Sequence, residues 1–307
     1  MSDAPQKKPA KRQVALVTGA TGFVGSHLAR RLVRDGWQVH ILTRSGSHLP
    51  DKPEFAHVVK HIHDGTSEGM VTCIAQAKPD VVFHLASLFL SQRTTKDVGP
   101  LIHSNVLFGT QLLEAMKVNG VSRFINTGTS WQHYDNEEYN PVCLYAATKQ
   151  AFEAILEFYV QTHGIKAITL KLFDTYGPDD PRPKLFNLLN KAAASGEPLD
   201  MSPGEQLIDL VHIDDVVEAY LVAAQRLFEN DLSRHETYAV SSGQPMSLKE
   251  LVQLYARLNN QNVVVNWGER SYRDREVMIP WTKGQLLPMW TASTSLIKGL
   301  VHAFNKK

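Results

Sequence analysis

Three glycines spaced three residues apart constrain the fold of this 307-residue chain more than any other feature. They follow a short apolar run, residues 14–18, and precede a segment, residues 24–35, whose apolar side chains recur at helical spacing. Small residues here let the backbone turn sharply and approach a pyrophosphate, whose charge the helix N-terminus favours. The context predicts a dinucleotide-phosphate loop. The residues assigned to it are Gly19, Thr21, Gly22, Phe23, Val24 and Gly25.

Strand-like and helical segments alternate through residues 13–173, and most of the strands are near-continuous apolar runs. Such strands are typical of a parallel sheet covered on both faces. We therefore predict an α/β fold, a doubly wound parallel Rossmann sheet formed by residues 13–174 with 206–246 returning to it. After residue 173 the rhythm changes, and residues 175–205 and 247–307 are assigned to a smaller, interleaved C-terminal substrate-binding α/β domain.

Composition narrows the class of protein. Lys plus Arg is 32 and Asp plus Glu is 31, so charge gives no reason to expect nucleic-acid or membrane binding. No apolar stretch approaches the ~20 residues of a membrane helix. Residues 1–12 are interpreted as a disordered leader. The two cysteines, Cys73 and Cys143, are too few for a framework of disulfide bonds. We expect a cytoplasmic protein with no metal site. Trp281 and Trp290 are interpreted as packing the smaller C-terminal domain.

The end of the second predicted strand bears on the choice of coenzyme. Sites that prefer NAD usually place an acid there, to bind the ribose 2′-hydroxyl. This chain has Arg44 and Ser45 instead, which favours NADP(H), although Arg44 is also compatible with an ordinary surface arginine. Asp64 and Gly65, after the third strand, are candidates for an adenine contact or a plain turn.

The candidate catalytic residues are Thr129, Tyr145 and Lys149. Tyr145 and Lys149 are four residues apart on one face of a predicted helix. A neighbouring ammonium, together with an oxidised nicotinamide ring, is expected to lower the pKa of the phenol from about 10. Thr129 ends a predicted strand at the edge where open α/β sheets bind ligands, and could hydrogen-bond a substrate oxygen that Tyr145 protonates.

Five motifs occur in one order: Gly19-x-x-Gly22-x-x-Gly25, His84-Leu-Ala-Ser87, Thr127-Gly-Thr129, Tyr145-x-x-x-Lys149 and Tyr176-Gly-Pro178. Over residues 13–300 the chain resembles the extended short-chain dehydrogenase/reductase family, which contains nucleotide-sugar epimerases, dehydratases and reductases. Four further segments resemble the CDP-abequose synthase group of nucleoside-diphosphate-4-keto-6-deoxyhexose reductases. They are Gly128-Thr-Ser-Trp-Gln-His133, Leu172-Phe-Asp-Thr-Tyr-Gly-Pro178, Ser202-Pro-Gly-Glu-Gln206 and Tyr272-Arg-Asp-Arg-Glu276.

The resemblance implies roles for the matching positions. Tyr145 would be the general acid/base, Lys149 would orient the nicotinamide ribose, and Thr129 would polarise the substrate oxygen. A homodimer packed through residues 98–119 and 145–163 is also implied. Further cofactor positions would be Leu85, Ala86, Ser87, Asn105 (as structural support), Thr127, Phe173 and Tyr176. Substrate positions would be Ser87, Ser130, Trp131, Asp174, Arg273 and Arg275.

Departures from the family pattern narrow the activity. Family dehydratases follow the Ser/Thr with an Asp-Glu pair, whereas Ser130 and Trp131 follow Thr129, which disfavours dehydration. Ile208 stands where many epimerases carry a diphosphate-binding arginine, so Arg273 or Arg275 would take that task, unless both belong to a solvated charge run. Asp174 stands where many relatives carry Asn.

Three functions follow in order of preference. The first is NADPH-dependent reduction of a nucleotide-linked 4-keto-6-deoxyhexose at carbon 4, with Tyr145 as general acid. The alternative is a nucleotide-sugar 4-epimerase with tightly bound NAD, which would use the same catalytic residues. The third is a dinucleotide-sensing binding protein, which is disfavoured because such a protein would be expected to lose Tyr145 and Lys149.

Overall fold

A computed structural model describes residues 12–47, 49, 52–182, 184–229 and 235–304. The predicted leader therefore lies outside the described residues, except for Arg12. The first half of the chain contains β1 (Val14–Thr18), α1 (Phe23–Arg34), β2 (Gln38–Arg44), β3 (Val59–His63), α2 (Ser67–Ala77), β4 (Val81–His84), α3 (Val98–Ile102), α4 (Phe108–Val118), β5 (Arg123–Thr129), α5 (Leu144–His163) and β6 (Lys166–Leu172). The second half contains β7 (Asp174–Tyr176), α6 (Leu185–Ser195), β8 (Leu199–Met201), β9 (Leu207–Ile208), β10 (Leu210–His212), α7 (Ile213–Phe228), β11 (His235–Val240), β12 (Met246–Ser247), α8 (Leu248–Leu258), β13 (Val265–Trp267) and α9 (Leu296–Phe304).

Seven strands form one parallel sheet in the order β11-β6-β5-β4-β1-β2-β3. The order reverses between β1 and β4, which is where doubly wound sheets bind ligands. Side chains from α1 and α7 form a first apolar cluster on one face of the sheet, and those from α2, α4 and α5 form a second on the other face. The predicted fold class is confirmed, because buried faces on both sides explain the near-continuous apolar strands.

The second half of the chain adds three short strand pairs outside the main sheet: β7 with β10, β8 with β13, and β9 with β12. A third apolar cluster lies among them, with Phe186 and Leu189 from α6 and Leu251 and Tyr255 from α8 at its centre. Ile208, from the segment predicted to return to the main sheet, also packs against this cluster.

Two local features differ from the sequence-based expectations. The long helix predicted over residues 98–119 is divided by a π-helical turn, His103–Leu107, between α3 and α4. Trp290 packs in the cluster on the main sheet, where its Nε1 donates to Asp215 O at 2.9 Å. Across the described part of the chain, every helix is too short or too polar to cross a bilayer.

Candidate active site

The glycine loop connects β1 to α1 with very little free space. Gly22 N donates to Gly19 O at 3.0 Å, and a Cβ on Gly25 would lie 2.2 Å from that same oxygen. Gly19 has φ +73°, and a Cβ there would lie 2.6 Å from Ala86 N. Gly22 caps α1 without a side-chain hydrogen bond, and the first turn of α1 holds no acidic residue. A cradle this tight, ending on helix amides, fits a dinucleotide pyrophosphate.

The residues that the sequence assigned to the adenosine part of the coenzyme lie at the carboxyl ends of β2 and β3. Arg44 and Ser45 are both exposed at the end of β2. Oδ1 of Asp64 accepts hydrogen bonds from Thr66 N at 2.9 Å and from Thr66 Oγ1 at 2.8 Å, which lower the pKa of the carboxyl. Asp64 therefore builds the turn into α2, and Gly65 supplies the positive φ of +95° that follows.

The carboxyl ends of β4 and β5 are joined through side-chain hydroxyls. Thr127 Oγ1 donates to His84 O at 2.8 Å, and consequently accepts from the Tyr220 hydroxyl at 2.7 Å. Asn105, in the π-helical turn, binds both the amide and the carbonyl of Leu88 and donates to Thr148. Thr127 and Asn105 therefore hold the loop after β4, in which Leu85, Ala86 and Ser87 were assigned to the cofactor.

Tyr145 and Lys149 occupy the first turns of α5. Tyr145 packs edge-to-face on Phe89, with ring centroids 4.9 Å apart. Burial raises the pKa of Tyr145 to about 12, while a hydrogen bond with Ser87 acts in the opposite direction. Burial lowers the pKa of Lys149 to about 8, against the charge of Glu153. In the chain alone, desolvation of the phenolate therefore dominates, and the lowering of the Tyr145 pKa expected beside an oxidised nicotinamide ring stays a prediction.

Thr129 ends β5 and caps a 3-10 turn, Ser130–Gln132. Its amide donates to Gln132 Oε1 at 3.0 Å, and its hydroxyl oxygen accepts from Trp131 N at 3.3 Å. A hydroxyl used as an acceptor in this way keeps its proton to donate. The geometry suits the predicted role of Thr129 toward a substrate oxygen.

A cleft of about 580 Å³ lies between this sheet edge and residues of the third apolar cluster, among them Phe186 and Leu251. Four of the predicted substrate residues line it: Ser130, Trp131, Asp174 and Arg273. Other lining residues, which sequence reasoning did not assign to substrate, include Phe89, His133, Lys184, Arg270, Glu276 and Trp281. Ser87 and Arg275 are absent from the lining.

The two candidate arginines differ in their surroundings. Arg273 is held by Glu276 through two hydrogen bonds, at 2.9 and 2.8 Å, and lies 5.4 Å from the ring of Trp131. Hydrogen bonding to Glu276 raises the pKa of Arg273, so the guanidinium stays protonated. Arg275 instead stacks over Tyr134 and donates to Asn140. Of the two, the structure places Arg273 in the cleft.

Phe173 and Tyr176, assigned to the cofactor, are both buried. Phe173 stacks with Trp281, whose ring centroid is 6.4 Å away. Tyr176 packs on Phe186 in the third apolar cluster, and its hydroxyl is buried without a hydrogen-bond partner. Tyr176 therefore contributes to the packing of that cluster, and both Phe173 and Tyr176 also line the cleft.

A buried polar cluster beneath the Thr129 turn was not anticipated. It consists of Gln132, His133, Glu153 and Lys171. Gln132 carries the one sequence signal available, since a Gln three residues after a Thr is the spacing of a capping box. Glu153 and Lys171 are far apart in the chain and meet only through the packing of α5 on β6.

One group of described residues has ligand atoms close enough to hold a metal ion: His212, Asp214 and His302, within 4.8 Å of one another. His212 Nδ1 already accepts a hydrogen bond from Asp214 N at the start of α7. A metal bound through that nitrogen would displace the helix cap, and no catalytic role is assigned to this group.

Comparisons with known proteins agree with this geometry. The family described as NAD dependent epimerase/dehydratase matches residues 15–239. The chain is 27% identical to a CDP-abequose synthase of Salmonella muenchen over 95% of this chain and 97% of that protein. It is 29% identical to a UDP-glucose 4-epimerase of Mycolicibacterium smegmatis over 68% and 72% of the two chains. A solved structure of MoeE5 in complex with UDP-glucuronic acid and NAD is 27% identical, with a TM-score of 0.79, and the likeness covers 94% of this chain and 97% of that one.

Proposed function

Because this chain belongs to the NAD dependent epimerase/dehydratase family, we propose that it binds a nicotinamide dinucleotide and a nucleotide-linked sugar. The reaction we propose is reduction of a 4-keto-6-deoxyhexose at carbon 4, with NADPH as the coenzyme. The glycine loop supports the first part, since a side chain at Gly19 or Gly25 would close the cradle. The cleft of about 580 Å³ supports the second, because its volume suits a small-molecule site.

The position of Tyr145 carries the proposal. Its phenol lies on α5 at the sheet edge, against Phe89, and Phe89 in turn contacts Trp131 in the cleft wall. With a pKa raised to about 12, the phenol is protonated at neutral pH, which is the state a general acid requires. A reductase needs a proton at the oxygen of carbon 4 in every turnover.

The bound coenzyme would supply a hydride to the keto carbon. Thr129 donates a hydrogen bond to the keto oxygen, and Tyr145 gives that oxygen its proton, so that a hydroxyl forms. Lys149 binds the ribose beside the nicotinamide. With a pKa of about 8 it is still mostly charged at neutral pH, so it stabilises the phenolate that Tyr145 becomes when it gives up its proton. Water must then reprotonate Tyr145 before the next turnover.

The nucleotide would lie along the cleft lined by Trp131 and Arg273. The Arg273 guanidinium, fixed by Glu276, suits diphosphate oxygens. Similarity to CDP-abequose synthases over nearly the full length of both chains supports a deoxysugar substrate. Ser130 and Trp131, where dehydratases carry an Asp-Glu pair, argue against elimination of water.

Arg44 supports NADPH as the coenzyme. It stands exposed at the end of β2, where its guanidinium can meet a 2′-phosphate. The experiment is to follow NADPH and NADH oxidation with a panel of nucleotide-linked 4-keto-6-deoxyhexoses. We expect turnover with NADPH, and a shift toward NADH in Arg44→Asp. Failure of every sugar in the panel would overturn the reductase proposal.

A 4-epimerase is the second candidate. It is favoured by the likeness to MoeE5, whose structure contains UDP-glucuronic acid and NAD, and by the similarity to a UDP-glucose 4-epimerase. An epimerase regenerates its coenzyme in each cycle. Protein that purifies with NAD, and interconverts two nucleotide sugars without added coenzyme, would establish this function instead.

A homodimer through α3 to α5 is also proposed. Apolar side chains stand exposed on this surface: Val98, Ile102, Leu107 and Phe158. Burying such a patch against a second copy would remove it from water. Sedimentation of the purified protein tests this, and a monomer at micromolar concentration would contradict it.

A further inference from the structure

Glu153 lies on α5, on the C-terminal side of the proposed catalytic residues Tyr145 and Lys149. It is four residues after Lys149 and eight after Tyr145, so the three side chains share one face of the helix. Glu153 is buried, with 7% of its surface exposed. A carboxylate removed from water in this way needs compensating donors.

One oxygen of Glu153 is tied to the turn that carries Thr129. Gln132 Nε2 donates to Glu153 Oε1 at 2.9 Å, while Gln132 Oε1 accepts from Thr129 N at 3.0 Å. The amide of Gln132 therefore connects the helix carboxylate to the backbone of Thr129. Gly128 leaves the space for this contact, since a Cβ there would lie 3.0 Å from Glu153 Oε1.

The other oxygen faces Lys171 on β6, with Nζ and Oε2 3.4 Å apart. Lys171 Nζ also donates to His133 Nε2 at 2.8 Å. His133 is neutral, because burial and the Lys171 charge lower its pKa to about 4. Its ring stacks on Trp281 with centroids 3.8 Å apart, so the same pair reaches the wall of the cleft.

We propose that Glu153 and Lys171 are a pair of positioning residues that holds the Thr129 turn and the Trp281 wall against the helix bearing Tyr145. An apolar pair of similar volume would avoid the cost of burying two charges. The charged pair instead fixes the positions of its neighbours, because Glu153 accepts a hydrogen bond from Gln132 and Lys171 donates one to His133. The inference rests on the proposed function, in which Thr129 and Tyr145 act on one substrate oxygen.

The test compares Glu153→Gln, Lys171→Met and Lys171→Arg in steady-state kinetics. Loss of the pair misplaces Thr129 relative to Tyr145, so kcat should fall roughly 10- to 100-fold while KM for the nucleotide sugar changes much less. Lys171→Arg keeps the charge and should recover most of kcat. If the single variants fail to fold, the double variant Glu153→Gln/Lys171→Met removes both charges together and is measured in their place.

The matched control is Arg226→Met, which breaks a salt bridge of 2.6 Å to Glu236 between α7 and β11, outside the cleft. A second readout needs no substrate: the separation of the Thr129 and Tyr145 hydroxyls in crystal structures of wild type and Glu153→Gln. We expect that separation to change by about 0.5 Å or more. A kcat loss no larger than that of Arg226→Met, or an unchanged separation, overturns the proposal. If wild type reduces no sugar, the proposed function fails, and the separation alone decides the positioning role.

Discussion

Thr18 Oγ1 lies 2.9 Å from His84 Nδ1, at the point where the sheet order reverses. The same oxygen accepts from Leu85 N at 3.2 Å and from Ala86 N at 3.1 Å, so its only proton goes to His84. His84 therefore carries its own proton on Nε2. This agrees with burial lowering the pKa of His84 to about 3. One hydroxyl thus fixes the β4 loop beside the glycine cradle.

Replacing this hydroxyl tests its role. Thr18→Val preserves shape but leaves the amide of Ala86 without this acceptor and the amide of Leu85 with only the backbone carbonyl of Thr18, 3.3 Å away. We expect the free energy of unfolding to fall by about 2–4 kcal/mol, and coenzyme affinity to weaken with it. Urea denaturation and coenzyme titration measure the two effects. Thr18→Ser is the control, and an equal loss in that variant would argue against the hydrogen bonds as the cause.

Acid should destabilise the protein through its buried histidines. Burial lowers the pKa of His84 to about 3 and that of His133 to about 4, whereas both should titrate near 6.5 when unfolded. Between pH 6.5 and the folded values only the unfolded chain binds these protons, so stability falls as pH falls. From pH 6.5 to 4.5 the two residues should cost roughly 5 kcal/mol. Denaturant unfolding at each pH should show a shallower slope in His84→Asn, and an unchanged slope would refute this origin.

The glycine cradle should not tolerate a methyl group. In Gly25→Ala the new Cβ would lie 2.2 Å from Gly19 O, within the backbone proposed to approach the phosphates. We expect a loss of about 1–3 kcal/mol in stability and loss of measurable coenzyme binding in a fluorescence titration. Gly99→Ala, where a Cβ meets nothing within 4 Å, is the matched control. Normal coenzyme affinity in Gly25→Ala would mean that the phosphates bind elsewhere.

Substitutions of Arg273 and Arg275 should have different effects on KM for the nucleotide sugar. Arg273→Met removes the cation from the cleft, and we expect KM for the nucleotide sugar to rise about 10- to 100-fold, as for loss of a charged hydrogen bond. Arg275→Met removes a residue that is itself outside the cleft lining, where it stacks on the lining residue Tyr134 and donates to Asn140, and KM should change little. Steady-state kinetics of both variants decide the matter. A larger effect from Arg275 would reverse the assignment.

Much of the fold could be predicted because its signals are local. The glycine spacing, the apolar strands and the helical periodicity each lie within a few consecutive residues, and the fold they predicted is the one observed. The division of the helix after residue 102 was missed, since the buried contacts of Asn105 with Leu88 and Thr148 come from distant parts of the chain.

The site was predictable in part for the same reason. Tyr145 and Lys149 are recognisable from their spacing, and Thr129 from its place at a strand end. Lys171 gave no signal, because its importance comes from contacts with His133 and Glu153 that only packing creates. The rise in the pKa of Tyr145 could not be predicted, because it comes from burial, which sequence does not reveal.

In the proposed mechanism, Tyr145 protonates the oxygen of carbon 4 while a hydride arrives at that carbon. The most direct measurement uses NADPH carrying two deuterium atoms at carbon 4 of the nicotinamide, so that transfer from either face carries the label, with the sugar product examined by NMR. This mechanism predicts deuterium at carbon 4 of the sugar made by the wild-type enzyme, and a rate about 10²- to 10⁴-fold lower in Tyr145→Phe. A sugar product without deuterium, or a Tyr145→Phe variant that retains full activity, would contradict it.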